Sequence, residues 1–121
     1  MVLKFINEQM SVLNIPYEFG EWTSEVQYPY SVGEIVEPEP TTEDGMEEPE
    51  FLLTAFYRGS EPYSALENIK EKVKKHFEDL RAKTDEGTIA VSFGGASYIP
   101  TGEADLKRLQ INLKIKTWKG A

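Results

Sequence analysis

Residues 51–80 read FLLTAFYRGSEPYSALENIKEKVKKHFEDL, which is a strand, a tight turn and an amphipathic helix in succession. The first seven residues are almost continuously apolar or aromatic, which predicts a central strand covered on both faces. Arg58-Gly59-Ser60 ends this strand. Apolar residues then recur at spacings of three and four, which predicts a helix with one buried side. The apolar residues of that side are Leu66, Ile69, Val73, Phe77 and Leu80.

The ends of this helix carry their own signals. Ser64 and Glu67 have the spacing of a capping box, in which the Ser64 hydroxyl accepts from the Glu67 N–H and the Glu67 carboxylate accepts from the Ser64 N–H. Lys74, Lys75 and His76 lie near the other end, where positive charge favours the helix dipole. We therefore expect the rest of the chain to pack on this segment.

The chain before this segment predicts one helix and two strands. Apolar residues at helical spacing predict a helix over residues 2–13, which Asn14 and Pro16 end. Strands are predicted at 17–22 and 27–36, joined at 23–25. Pro29 should leave one side of the second strand unpaired or mark a bulge.

The chain after it predicts two further strands. Residues 81–87 are interpreted as a polar connection, 88–93 as a short strand, and Gly94-Gly95 as a turn or bulge. Residues 109–116 alternate strictly between apolar and polar, which predicts a strand with one buried face, and Trp118 closes it.

These elements predict one α+β domain over residues 1–121. We expect a largely antiparallel or mixed sheet of about four to five strands with two main helices packed on it, since hairpin connections dominate. A long acidic loop or hairpin should join strands two and three.

That acidic segment spans residues 34–50 and contains eight acidic residues and no basic one. Too little apolar surface is present to order it, so we expect about residues 37–50 to be mobile. Three interpretations remain: a solvated connector, an arm that contacts a partner, and a calcium-binding cluster. The last is weakened because the ligand spacing and turn glycine of an EF-hand loop are missing.

The composition argues against several kinds of site. The chain has no cysteine and one histidine, His76, so it offers neither thiolate zinc ligands nor a multi-histidine metal site. Ser92 lies outside any nucleophile motif, and turn chemistry or ion pairs with Lys107 or Arg108 account for Glu103 and Asp105. The sequence predicts no enzyme, no catalytic residue, no cofactor and no metal.

Charge and hydropathy argue further against two classes of partner. A formal net charge of -8 is unlike the basic surface that specific nucleic-acid binding requires. Residues 1–10 lack the unbroken apolar run of a signal peptide, and no apolar run has the length of a membrane span. We expect a cytosolic protein.

Two features of the sequence predict assembly. Tyrosine and tryptophan, which are enriched at protein interfaces, fall at strand ends and strand surfaces. These aromatic residues are Trp22, Tyr28, Tyr30, Tyr57, Tyr63, Tyr98 and Trp118. The charges are also segregated, so an acidic arm of one copy and the basic C-terminal strand of the next should make head-to-tail contacts. The predicted interface comprises Glu43, Asp44, Glu47, Glu48, Arg58, Lys107, Arg108, Lys114, Lys116 and Trp118.

The element order, with the phrases YPYSVGEIVE, FLLTAFYRGS, LENIKEKVKKHF and SYIPTGEADLKRLQINLKIKTW, resembles the small tail-terminator or tail-completion proteins of long-tailed bacteriophages and prophages. The resemblance spans nearly the whole chain. It implies a structural subunit without catalytic residues that assembles in the host cytoplasm as a hexameric ring. The ring would cap the tail tube at the head-proximal end of the virion tail and contact the tube protein and the head connector proteins.

A different class of function competes with this one. A small acidic regulatory module would bind a basic partner protein, using its acidic stretch to mimic nucleic acid. Light scattering separates the two hypotheses, because only the first requires a ring of copies.

Overall fold

The computed structural model describes residues 2–37, 46–60 and 63–119. Their elements in chain order are α1 (Val2–Val12), β1 (Tyr17–Phe19), β2 (Tyr30–Val36), β3 (Met46–Glu47), β4 (Glu50–Arg58), α2 (Ser64–Phe77), β5 (Leu80–Thr84), β6 (Gly87–Tyr98) and β7 (Leu106–Lys119). Within these residues the strands form one mixed sheet of seven, in the order β1-β2-β4-β7-β6-β5, with β3 also beside β7. The α+β class is confirmed, but the predicted strand number is too low.

Both helices contribute to a single core on one face of the sheet, which we call the inner face. Odd-numbered residues of β4 and β7 point into this core because side chains alternate along a strand. The core includes Phe5, Ile6 and Met10 of α1, Leu66, Ile69, Val73 and Phe77 of α2, Phe51, Leu53 and Ala55 of β4, and Leu109, Ile111, Leu113 and Ile115 of β7. The opposite face, lined by even-numbered residues of β2, β4 and β7, is the outer face.

Helix α2 is confirmed with its predicted buried side, but its predicted capping box is wrong. Ser64 is the first helical residue and Tyr63 is the N-cap, which makes no side-chain capping hydrogen bond. The Glu67 N–H instead donates to the Tyr63 carbonyl at 2.9 Å. Its carboxylate pairs with Lys70 at 2.8 Å, so it is directed along the helix rather than back to Ser64. Leu80, predicted on the helix, is the first residue of β5.

Helix α1 is confirmed and ends as predicted. Asn14 has a φ of 55°, a left-handed conformation that terminates helices and that asparagine tolerates. Side-chain hydrogen bonds fix the helix to its neighbours: Asn7 Oδ1 accepts from the Tyr17 hydroxyl, and Gln9 Oε1 is 2.7 Å from His76 Nε2. Burial raises the pKa of Tyr17 to about 12.

The first two strands pair differently from the prediction of successive hairpin connections. β1 lies parallel to β2, with Tyr17 opposite Ser31. Residues 20–29 are a crossing segment rather than a turn: the Glu18 carboxylate holds Thr23 and Ser24, and the ring of Trp22 packs on Tyr30. The chain therefore crosses back over the sheet after β1, so that β2 runs in the same direction as β1. β2 begins at Tyr30, so Pro29 precedes the strand.

The predicted polar connection at residues 81–87 is also wrong, because most of it is β5. This strand pairs antiparallel with β6. Its inward residues Leu80 and Ala82 are half-buried, while Arg81 and Lys83 are exposed. The apolar signal is weak because only one side of an edge strand meets the core. β6 continues through the glycine pair to Tyr98, so the predicted strand at 88–93 is too short. The register shift between Phe93 and Gly95 shows a bulge at the glycine pair rather than a turn.

The central strands β4 and β7 confirm most of their predictions. β7 alternates as predicted, and β4 lies between β2 and β7. The prediction that both faces of β4 are covered is wrong, since Phe51, Leu53 and Ala55 are buried whereas Leu52 and Phe56 are only half-buried.

Part of the predicted mobile segment belongs to the sheet. β3 and β4 pair with β7 in the same register. The hydrogen-bond ladder breaks between them at Pro49, which has no N–H to donate. The Pro49 carbonyl still accepts from the Ile115 N–H at 3.0 Å. Residues 46–50 thus lie along β7, and residues 38–45 are outside the described range.

Candidate subunit interface

The structure divides the predicted interface residues between two places. Glu47, Glu48, Lys114, Lys116 and Trp118 lie at one end of the β4–β7 ladder, and Arg58, Lys107 and Arg108 lie at the other. Lys107 and Trp118 are separated by roughly 35 Å along β7 at the ordinary rise of a strand. Glu43 and Asp44 are outside the described residues. The predicted set is therefore not one surface.

At the first end, acidic and basic side chains pair within the chain. Glu48 Oε1 is 3.9 Å from Lys116 Nζ, and Glu50 is the register partner of Lys114. The hypothesis of contacts between copies assumed that these charges lie apart within one copy, whereas the register of β3 and β4 lays the end of the acidic segment against the basic strand. Both members of the ion pair are 57% exposed, so its contribution to stability is small.

At the second end, Arg58 holds the loop between β6 and β7. Its Nη1 donates to Asp105 Oδ2 at 2.9 Å and its Nη2 to Glu103 Oε2 at 2.8 Å. Hydrogen bonding, chiefly to Glu103, raises the pKa of Arg58. The prediction that Lys107 or Arg108 pairs with these carboxylates is wrong.

Lys107 and Arg108 also bind the loop between β6 and β7, but through its backbone carbonyls. The Lys107 ammonium donates to the Ala104 carbonyl and lies 5.7 Å from the centre of the Tyr63 ring. Arg108 Nη2 donates to the Pro100 carbonyl at 3.2 Å. These two cations and Arg58 therefore hold the 99–105 loop within the chain, which leaves fewer of their N–H donors for another copy.

Several aromatic side chains that the sequence predicted only at separate positions lie in contact with one another. The rings of Trp22 and Tyr30 are 5.0 Å apart, those of Tyr30 and Phe56 are 5.1 Å apart, and Tyr28 is 5.5 Å from Tyr30. Arg58 lies 5.9 Å over the Tyr28 ring. This series of rings, which we call the aromatic series, crosses the outer face from the 20–29 segment to β4. Phe56 was missed because the sequence placed it in a doubly covered strand.

A groove of about 360 Å³ runs beside the aromatic series. Trp22, Tyr30 and Phe56 line it together with Glu21 and Glu34. The Glu18 carboxylate fixes the position of Trp22 by accepting from the Thr23 hydroxyl at 2.6 Å and from the Thr23 N–H at 3.2 Å. The hydrogen bonds from Thr23 and Ser24 lower the pKa of Glu18.

A second aromatic contact joins α2 to the end of β6. The Tyr63 and Tyr98 rings are 4.6 Å apart, edge to face. The Tyr98 hydroxyl donates to the Glu67 carboxylate. Burial, and after it this hydrogen bond, raises the pKa of Tyr98. Lys70 and Tyr98 lower the pKa of Glu67. The contact attaches the helix to the sheet, so it is an internal one.

The described ranges contain no group of three or more acidic or histidine side chains that could hold a metal ion. Neither of the two helices in these ranges is long and apolar enough to cross a membrane. No protein-family model matches the chain. A search of curated proteins also found no match.

The cross-strand charges give a first prediction. We expect Lys114→Glu combined with Lys116→Glu to lower the free energy of unfolding by up to about 1 kcal/mol, because each new carboxylate faces another across the ladder. Urea titration at low salt measures the loss, and added salt should reduce it.

The control carries Lys72→Glu, which makes the same kind of charge change at an exposed position of α2 before its last turn. We expect the control to keep nearly the wild-type stability. Unchanged stability of the β7 variant together with loss of assembly would instead return these lysines to an interface between copies.

Proposed function

We propose that the protein is a ring-forming subunit that terminates the tail tube of a long-tailed bacteriophage or prophage and joins the tube to the head connector. The proposal rests on the resemblance of the chain to tail-terminator proteins. The observation that supports it best is the aromatic series on the outer face. Trp22, Tyr30 and Phe56 are half-buried and Tyr28 is exposed, so the series still presents part of its rings to another molecule. Tyrosine and tryptophan provide apolar area with polar edges, and both are enriched at protein interfaces.

The two edges of the sheet favour assembly through this face rather than through strand pairing. β1 is only three residues long, between Pro16 and Gly20, and β5 carries Arg81 and Lys83. Short edge strands and edge lysines oppose the addition of another strand. An interface between copies is therefore expected to use side chains of the outer face.

The test combines mass with tube length. We expect the average mass from light scattering to rise with protein concentration up to that of a closed ring. Negative-stain electron microscopy should show the rings. Adding the protein to growing tubes of the tail tube protein from the same source should stop growth and narrow the length distribution.

A monomer at every concentration that leaves tube length unchanged would overturn this function. In that case binding to a basic protein, measured by calorimetry, would favour the acidic regulatory module. Rings that bind tubes without limiting their length would retain the assembly but remove the terminator role.

A further inference from the structure

The outer face has opposite charges near its two edges. Glu18 and Glu34 lie on β1 and β2, and Glu21 follows β1. Arg81 and Lys83 lie on β5, the strand at the far edge. Unlike the lysines of β7, these two cations have no carboxylate opposite them in the register, since Arg81 faces Ala90 and Lys83 faces Thr88. The face is therefore acidic on the side of β1 and β2, and β5 presents two cations at its far edge.

The acidic side contains the groove beside the aromatic series. Its lining combines three ring systems with the carboxylates of Glu21 and Glu34. Neither carboxylate has an ion-pair partner among the residues that the structure describes. Aromatic faces attract cations, and carboxylates add a full opposite charge. This combination is suited to a guanidinium or an ammonium group, and an apolar ligand would leave both carboxylates without compensation.

Arg81 is the best cation on the other side. Its side chain is exposed, and within the described residues no ion pair joins it to Glu78 or Asp79, which lie in the same wide groove. A guanidinium stacks on aromatic rings while its edge donates to carboxylates, so it fits both parts of the groove lining. An ammonium group, such as that of Lys83, cannot stack on the rings with a planar face and would interact with the groove mainly through its positive charge.

The two sites cannot meet within one copy. Four strand spacings separate β2 from β5 in the sheet order, which is about 19 Å along the sheet. An arginine side chain is much shorter than this distance. Complementary groups at opposite edges of one face are satisfied by a neighbouring copy, and such contacts are head-to-tail.

We propose that the groove formed by Trp22, Tyr30, Phe56, Glu21 and Glu34 of one copy receives Arg81 of a second copy. The contact is heterologous, so it propagates from copy to copy and closes when the rotation permits a ring. This inference rests on the proposed function, because it identifies the two surfaces through which the ring forms. It replaces the β7 lysines as the basic surface, since Lys116 lies 3.9 Å from Glu48 and Lys114 lies opposite Glu50 within the chain.

A charge swap between two variants tests the contact. Glu34→Lys places a cation in the groove, and Arg81→Glu places an anion on β5. Each variant alone juxtaposes like charges at every contact of its ring, so we expect each to assemble at least about tenfold more weakly than wild type. In an equal mixture the altered groove meets the altered β5, and the unaltered groove meets the unaltered Arg81. The mixture should therefore regain assembly through rings of alternating copies.

Two variants on the exposed side of α2 serve as controls. Glu71→Lys and Lys72→Glu make the same charge changes as the test variants but lie away from the outer face. We expect both to assemble like wild type, with no change on mixing. Sedimentation velocity over a range of concentrations gives the masses, and circular dichroism verifies that each variant folds.

Each outcome has a separate meaning. If wild type forms rings and both test variants do so equally well, the groove contact is overturned and the proposed function stands. If each variant is weakened but the mixture is not restored, Arg81 does not occupy the groove, and a basic group from another partner becomes the candidate. If wild type never assembles, the proposed function fails and the contact fails with it.

Discussion

Replacing Phe77 by alanine is expected to lower the free energy of unfolding by about 3 to 5 kcal/mol. Its side chain is fully buried at the end of α2 and belongs to the core shared by both helices and the sheet. Removal of the ring loses its transfer free energy and leaves a cavity, because strands on one side and helices on the other limit relaxation. Guanidinium titration followed by circular dichroism measures the change.

Lys72→Ala is the matched control, since it lies on the same helix with an exposed side chain. Its cost should stay within about 0.5 kcal/mol. Equal and mild effects of the two substitutions would mean that the apolar side of α2 is not the one packed in the core.

Replacing Gly33 by alanine is expected to cost about 1 to 3 kcal/mol through overpacking. A Cβ at this position of β2 would lie 2.6 Å from Phe51 Cε1 and 2.8 Å from Tyr17 Cε1. Both rings are held in place, Phe51 by complete burial and Tyr17 by its hydrogen bond to Asn7. Neither ring can move away without disturbing its other contacts.

A double-mutant cycle with Phe51→Leu identifies the cause. Leucine removes the ring atom nearest the new Cβ, so the double variant should lose less stability than the sum of the single changes. Glu34→Ala, at the next residue of β2 but on the outer face, should cost little. Strict additivity in the cycle would show that Gly33 is needed for another reason than space.

The sequence predicted well what depends on local periodicity. The buried side of α2 and the alternation of β7 both follow from the spacing of their own apolar residues, and both are confirmed. The capping box failed although Ser64 and Glu67 have the right spacing, because the helix begins one residue earlier than that motif requires. Boundaries depend on competing local hydrogen bonds that spacing alone does not rank.

Pairings between distant segments could not be predicted from the sequence. The signs of Glu48 and Lys116 could be read directly, but their proximity depends on the register between β3 and β7, which no local pattern contains. The aromatic series is similar, since Trp22, Tyr30 and Phe56 come from a crossing segment and two strands. The antiparallel register of β2 and β4 places Tyr30 opposite Phe56, and the crossing segment after β1 brings Trp22 onto Tyr30.

The position of β7 also constrains the order of events during synthesis. β7 is the last of the described elements in chain order, yet it lies between β4 and β6. Until it emerges from the ribosome, both neighbours present open backbone hydrogen-bonding groups, which invite association with other chains. The nascent polypeptide therefore exposes two strand edges to other chains until translation has passed β7. The sheet can close only once residues 106–119 are available.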